Sequence, residues 1–411
     1  MSEAPVARIA PPEFLGRPAV AAVLAALPGA RAVGGCVRDA LAGRDFADVD
    51  VAAPLPPEEI ARRLRDAGLR VFETGLAHGT VTAVLGREPV EVTALRRDVL
   101  TDGRHAVVEW TTDWREDAAR RDFTINAMSL AADGALFDYF GGREDLAAGR
   151  VRFVGDPDLR LAEDYLRALR FFRFQARYGR GAPDAAAVAA IARAVPGLGR
   201  LSAERVWMEL KRILGAPDPV AAVALMAETG VLGAVLPEVA RDGLVALRRL
   251  VAAGAPPDPL LRLAALLPGP APGLAARLKL SGEEATALAQ LLRAALPDPA
   301  LEGAALRVAL AACESASGED AQRYTWLAEA RDGRDRSALR ARITAVETPR
   351  FPLQGRDLLA LGVSPGPGVG RLLAALREWW LAGGCVAMRE EALAEAARRI
   401  SDGSGGTALG G

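Results

Sequence analysis

The chain has 411 residues, 51 % hydrophobic and 25 % charged, a globular composition with room for two to four domains at roughly 150 residues each. Its 51 basic and 52 acidic residues nearly cancel, which excludes a polybasic tail or membrane anchor and requires any nucleic-acid surface to be local. Lys211 and Lys279 are the only lysines and His78 and His105 the only histidines, so a P-loop ending in Gly-Lys-Ser/Thr and a histidine-rich zinc or iron site are excluded as well.

Near the N-terminus the most apolar stretch, Ala19 to Leu27, stops at Pro28-Gly29, short of the ~20 residues of a bilayer span. No basic region precedes it, so neither a membrane segment nor a targeting segment is expected. Arg31 to Val33 reads as a strand running into Gly34-Gly35, followed by a short helix to Leu41 with Gly43 as its C-cap and a second strand around Val49 to Ala52. Val71 to Thr74, Thr80 to Leu85 and Val90 to Ala94 are further β-branched runs. Together they predict a small mixed α/β domain ending near Val154. From Asp158 onward the periodicity is helical, broken at Gly215-Ala-Pro217, Pro256-Pro257, Pro268-Gly-Pro270 and Pro365-Gly-Pro367. Ser401 to Gly411 is glycine-rich and expected to be disordered. Cys36, Cys313 and Cys385 show no Cys-x-x-Cys spacing, which fits reduced thiols in the cytoplasm.

Two segments point to phosphate and metal chemistry. Asp48 and Asp50, two apart in a strand-like context, project to one face about 7 Å apart, a spacing that suits magnesium sharing phosphate oxygens and water. Thirteen residues before Asp48, Gly34-Gly35 opens a helix where backbone N–H groups can approach a phosphate, and Arg38 adds a charged fork. In Val90-Glu91-Val92-Thr93 the alternation turns Glu91 away from the core; it is either a third carboxylate linked to the metal or an ordinary exposed strand residue. Asp113 with Glu116 marks a helix start, which puts Arg120, Arg121 and Asp122 just beyond a short helix.

Four ordered motifs carry a resemblance. Gly34-Gly35-Cys36-Val37-Arg38-Asp39 through Asp48-Val49-Asp50, Arg120-Arg121-Asp122-Phe123-Thr124-Ile125-Asn126-Ala127-Met128, Glu163-Asp164-Tyr165-Leu166-Arg167-Ala168-Leu169-Arg170, and Leu201-Ser202-Ala203-Glu204-Arg205 with Glu209 strongly resemble the bacterial class II tRNA nucleotidyltransferases. These enzymes add CCA to tRNA 3′ ends from CTP and ATP, and share their head with bacterial poly(A) polymerases. The resemblance implies an α+β fold, a polymerase-β-like nucleotidyltransferase head of mixed sheet and helices followed by an all-helical neck, body and tail. The expected division is head 1–155, neck 156–225 for base recognition, body 226–345, tail 346–400 for tRNA binding, and a disordered 401–411. It further implies metal, expected to be Mg²⁺, on Asp48 and Asp50 and a triphosphate cradled by Gly34-Gly35, while Glu91 stays a candidate third catalytic carboxylate. Arg38, Arg121, Asp122 and Asn126 would bind nucleotide, Asp122 taking the ribose 2′-hydroxyl.

Asp164 and Arg167, three apart on a helical pattern, would share a face about 60° wide, with Arg170 a further 60° round. A carboxylate beside a guanidinium complements the amino donor and ring-nitrogen acceptor of cytosine and adenine, and opposes uracil and guanine. The matching pair reads the incoming base in the family; the plain alternative is a surface salt bridge of about 0.2 to 0.5 kcal/mol. Phe171 and Phe174 are expected to pack in the core rather than to stack on a base. Arg96 to Arg104 resembles the flexible loop of enzymes that add all three nucleotides, and Ala77-His78-Gly79-Thr80 matches their pattern. A bacterial poly(A) polymerase, or an enzyme adding only CC or A, is the alternative. Gly362 to Gly370 reads as a turn leading into a helix from Arg371, either a phosphate contact or an interhelical turn.

Overall fold

The computed structural model describes residues 4–45, 48–75, 79–101, 106–293, 298–312 and 318–404. His78, Asp102 to His105, Cys313 and residues 405–411 lie outside the described residues. The chain divides into two units, one of Met1–Val239 with Gly273–Leu280 and the other of Ala240–Pro272 with Ser281–Gly411.

The first unit opens with β1 (Ala7–Arg8), α1 (Pro18–Ala26), β2 (Arg31–Val33), α2 (Gly35–Leu41), β3 (Asp50–Ala53), α3 (Pro57–Asp66), β4 (Arg70–Gly75), β5 (Thr80–Leu85) and β6 (Glu88–Ala94). There follow β7 (Arg96–Thr101), β8 (Ala106–Trp110), α4 (Trp114–Ala119), β9 (Ser129–Leu130), β10 (Ala135–Phe137) and α5 (Gly142–Ala148). Eight strands form a mixed sheet in the order β1-β10-β9-β2-β3-β6-β5-β4, with β3 and β6 parallel. Val81, Ala83, Val90, Val92 and Ala94 alternate as buried residues, and α1 and α3 pack on β5 and β6. In α3, Pro57, Ile60, Ala61 and Leu64 are buried at helical spacing, with proline at the first turn where its missing N–H costs nothing. The opposite sheet face is left to polar residues such as Glu91.

The polar segment expected to be a mobile loop is, through Thr101, the strand β7 paired with β8. Arg97 reaches Glu109 on β8 at 2.7 Å and Glu116 on α4 at 3.3 Å. Cross-strand charge pairing helps order such a ribbon, and because it joins residues far apart in sequence the run Arg96-Arg97-Asp98 reads as a polar loop. Helix α4 starts where expected, with the Asp113 carboxylate accepting from the Arg115 N–H at 2.7 Å.

Helices then take over: α6 (Pro157–Glu163), α7 (Leu166–Tyr178), α8 (Ala185–Ala194), α9 (Ala203–Leu214), α10 (Val220–Glu228) and α11 (Val231–Val235). Phe171 and Phe174 of α7 are buried and belong to an aromatic cluster with Phe123 and Phe153, at centroid distances of 4.9 to 6.4 Å. This cluster, worth about 0.5 to 1.5 kcal/mol per pair beyond area burial, fixes α7 against the segment carrying Asp122.

The second unit is helical: α12 (Gly243–Ala252), α13 (Pro259–Leu266), then, after α14 (Leu274–Leu278) of the first unit, α15 (Gly282–Arg293), α16 (Gly303–Ala312), α17 (Gly318–Asp332), α18 (Ser337–Ala345), α19 (Gly355–Ala360), α20 (Pro367–Ala382) and α21 (Arg389–Ser404). Helix α20 begins at Pro367 rather than Arg371, so Gly368 and Gly370 are helical; proline at the first position pre-sets the helical φ. No described helix is long and apolar enough to cross a membrane. Cys36 and Cys385 are free and buried.

Candidate active site

Asp50 and Glu91 lie on two neighbouring inner strands of the sheet, with Asp48 just ahead of the first. In the parallel pairing of β3 and β6, Asp50 is registered with Glu91, so the two side chains share a face on strands about 4.8 Å apart. Val49 is buried between exposed Asp48 and Asp50, so the alternation of an extended chain holds although β3 itself starts only at Asp50. The Asp50 carboxyl is pushed above its ordinary value, first by desolvation and then by the Glu91 charge, with Asp48 adding and Arg121 opposing. Like charges about 5 Å apart repel by about 1 kcal/mol even in water. A hard cation relieves that repulsion, so the donor set fits a divalent metal. Among the described residues no group of three or more His, Cys, Asp or Glu side chains is placed to hold a metal ion, so the candidate protein ligands are the Asp48 and Asp50 pair alone, and phosphate and water would have to supply the rest.

Beside the acids is the glycine turn. Gly34 has φ 71° and ψ −122° and caps α2, a conformation only glycine adopts readily. A Cβ there would also lie 3.0 Å from Arg121 Nη1. Arg121 is held by the Asp117 carboxylate at 3.2 Å and the Asn126 carbonyl at 3.3 Å. Desolvation acts to raise the buried Asp117 carboxyl, but the Arg121 and Arg120 charges bring it below its ordinary value. The Asp117 carboxylate therefore stays ionised, with the Arg121 Nη1 aimed at the turn.

Behind the turn runs a buried polar chain. Arg38 gives its Nε and Nη2 to Asp39 at 3.0 and 2.9 Å and its Nη1 to Asn126 Oδ1 at 2.6 Å. Asn126 Nδ2 donates to Asp122 Oδ1 at 2.9 Å, and Arg170 Nε donates to Asp122 Oδ2 at 2.7 Å. The Tyr178 hydroxyl closes the far end on Asp39. Arg38, expected to offer a fork to phosphate, lines the cleft, but its guanidinium is engaged by Asp39 and Asn126, and at 9 % exposure it braces the turn. Asp122 lines the cleft but already accepts from Asn126, Arg170 and the Phe123 N–H. Desolvation acts to raise its pKa, and the Arg170 charge with these hydrogen bonds holds it below the ordinary value.

Asp164 and Arg167 are not on one continuous helix. Asp164 caps the end of α6 with φ −155° and ψ 108°, and its Oδ1 accepts from the Leu166 N–H at 3.0 Å. Aspartate favours such local caps over helix interior, and Tyr165 packs so tightly on Gly197 that a Cβ there would lie 2.1 Å from its ring. The expected i,i+3 pair is thus replaced by two others: Asp164 with Arg205 at 2.6 Å, and Arg167 with Glu163. All the same, Asp164, Arg167, Arg170 and Arg205 line one cleft of about 420 Å³ with Gly34, Gly35, Asp50, Asp122 and Asn126. Sequence reasoning did not single out Arg205, Glu163, Asp117 or Asp39. Arg205 meets Asp164 from 41 residues away, whereas Asp39, Asp117 and Glu163 pair with arginines one to four residues off, a local spacing that could have been read.

Comparisons with known proteins agree. The family described as Poly A polymerase head domain matches residues 30–152, and that described as probable RNA and SrmB-binding site of polymerase A matches residues 183–242. The mitochondrial CCA tRNA nucleotidyltransferase 1 of Danio rerio is 39 % identical over 360 residues, covering 85 % of this chain and 83 % of the relative. The CCA-adding enzyme of Geobacillus stearothermophilus is 39 % identical over 215 residues, 51 % of this chain and 50 % of the relative. The solved structure of a Bacillus stearothermophilus CCA-adding enzyme in complex with CTP superposes with a TM-score of 0.68 at 26 % identity, covering 95 % of this chain and 99 % of that one. The fold and cleft define a template-independent nucleotidyltransferase of the polymerase-β type. The chain belongs to the CCA-adding tRNA nucleotidyltransferase family.

Proposed function

We propose that this one cleft adds C, C and A to the 3′ end of tRNA, drawing on CTP and ATP and releasing pyrophosphate at each step. The observation that carries the reading is a single cleft lined by Asp50, the Gly34-Gly35 turn, Asp122 and the Asp164 and Arg167 side chains, with Glu91 registered beside Asp50. As a nucleotidyltransferase of this family the protein uses a divalent metal; magnesium suits a site with few carboxylates and room for phosphate and water. Asp48 and Asp50 would hold it, with Glu91 beside them. When bound, the metal supplies Lewis acidity that lowers the pKa of the tRNA 3′-hydroxyl and offsets the charge on departing pyrophosphate. The Gly34 turn lets backbone approach the triphosphate, and Arg121 donates to it. Asp122, held by Asn126 and Arg170, is placed for the ribose 2′-hydroxyl.

Asp164 and Arg167 face the base, oriented by Arg205 and Glu163. A carboxylate acceptor and guanidinium donors match the amino group and ring nitrogen that cytosine and adenine share. Uracil or guanine would leave groups unpaired, at about 1 to 3 kcal/mol each in a buried site. Free buried thiols at Cys36 and Cys385 support a reducing compartment, for which we take the cytoplasm. The 1–155, 156–225, 226–345 and 346–400 division into head, neck, body and tail is retained as part of this proposal. The test incubates tRNA lacking CCA with each labelled nucleotide and Mg²⁺ and sizes the products. Three added nucleotides, C, C and A, are expected; a long A ladder or a stop after CC would overturn the reading.

A further inference from the structure

At the other end of α2 from the Gly34 turn, a second cavity of about 410 Å³ is walled by Arg44, Arg143, Arg177 and Arg180. The four come from three separate places, just past α2, the first turn of α5, and the end of α7. All are exposed. Elsewhere the arginines of this protein are mostly spent on carboxylates, as with Arg62, Arg152, Arg193, Arg277 and Arg398. Here, among the described residues, Arg44, Arg143, Arg177 and Arg180 make no ion pair. The nearby acids are engaged or lie outside the lining: Asp39 serves Arg38 and Tyr178, and Asp145 serves Arg150 and Arg152.

The cations are also held in place. Arg180 Nη2 donates to the Leu146 and Ala147 carbonyls at 3.3 and 2.9 Å, and its N–H donates to Gly149 at 2.8 Å. Gly149 has φ +68°, and a Cβ there would lie 2.6 Å from Arg180 Cβ. The Arg44 guanidinium rests over the Tyr178 ring at 4.8 Å, with Arg177 at 5.9 Å. Four cations around one concavity, Arg44, Arg177 and Arg180 with the contacts just given, repel one another unless an anion enters, and guanidinium forks match phosphate oxygens. No lining side chain other than arginine and the engaged Tyr178 carries a polar group, so the wall offers charged donors and no carboxylate, a chemistry that suits an anion.

We propose that this pocket is a phosphate-binding site separate from the catalytic cleft, taking a backbone phosphate of the RNA substrate or free phosphate. The RNA source rests on the function proposed above. The test uses the full-length protein, its R143A/R177A and R143K/R177K variants, and tRNA lacking CCA, with affinity measured by fluorescence anisotropy across a salt series. For an RNA phosphate, the alanine variant binds tRNA about tenfold more weakly, and its plot of log K against log salt becomes shallower by about 0.9 for each phosphate no longer neutralised. The lysine variant recovers most of the affinity, whereas KM for CTP and kcat at saturating tRNA stay at wild-type values. A second arm titrates inorganic phosphate into enzyme without tRNA. Loss of phosphate binding in the alanine variant with unchanged tRNA affinity upholds the pocket and assigns it to free phosphate. Unchanged tRNA affinity, salt slope and phosphate binding together overturn it. A wild-type chain that failed to extend tRNA would refute the functional reading alone, since the phosphate titration tests the pocket by itself.

Discussion

Replacing Arg170 with alanine removes the charged partner of a buried carboxylate. Arg170 Nε and Nη2 lie 2.7 and 2.5 Å from Asp122 Oδ2. Breaking a fully buried ion pair costs about 3 to 5 kcal/mol. Two features reduce that figure: the Arg170 side chain is 33 % exposed, and the Asn126 and Phe123 donors stay on Asp122 Oδ1. The expected loss is about 2 kcal/mol. Its pH dependence has a definite sign. The folded Asp122 pKa lies below its ordinary value, so the ionised carboxylate contributes full stability above the unfolded pKa of about 3.9. That contribution is lost as pH falls through the folded pKa. Without Arg170 the folded pKa rises, so the penalty is largest at pH 7 and shrinks as Asp122 becomes protonated. Urea unfolding at pH 7 and pH 3.5, in the Asp122 and Asp122→Asn backgrounds, measures the coupling directly. A penalty equal at both pH values and in both backgrounds would refute the assignment of Arg170 as the partner that keeps Asp122 ionised.

Three other substitutions probe separate parts of the site. Asp50→Ala should lower incorporation by at least about 10²-fold, since metal stabilisation is worth several kcal/mol, while tRNA affinity by filter binding stays within twofold. Gly34→Ala combines a φ of 71° with a Cβ 3.0 Å from Arg121; about 1 to 3 kcal/mol of strain should appear as a lowered unfolding midpoint and a raised KM for CTP. Tyr178→Phe removes a hydroxyl donor from the buried Asp39. Chemical denaturation should show a loss of about 1.5 to 3 kcal/mol, the range for hydrogen bonds to charged groups.

Strands with strong β-branched alternation, such as Thr80 to Leu85, were legible because burial on one face imposes a period of two. So was the α4 start, where the Asp113 cap is a local interaction. The β7 strand was not, because the charge pairs that hold it come from β8 and α4, distant in sequence. At the candidate site the sequence pointed to Asp48, Asp50, Glu91, Asp122 and Asp164, of which Asp50, Asp122 and Asp164 line one cleft. Sequence reasoning misjudged their partners: Arg38 turns to its own neighbour Asp39, and Asp164 turns to Arg205, 41 residues away. Spacing along a helix predicts which side chains can share a face, but a break at a single capping aspartate cancels it. The near-zero net charge likewise concealed two very different arginine populations. Most are neutralised within helices and loops; those around the 410 Å³ cavity are not.

In the proposed function, nucleotide choice rests on protein side chains, with no nucleic-acid template. It is tested most directly by Asp164→Ala, assayed on tRNA lacking CCA with each of the four nucleotides separately under single-turnover conditions. The account predicts that UTP and GTP become substrates, their rates approaching that of CTP within about tenfold as one mismatch of about 1 to 3 kcal/mol is removed, with the metal-dependent chemistry retained. Rejection of UTP and GTP as complete as in the wild type would contradict it.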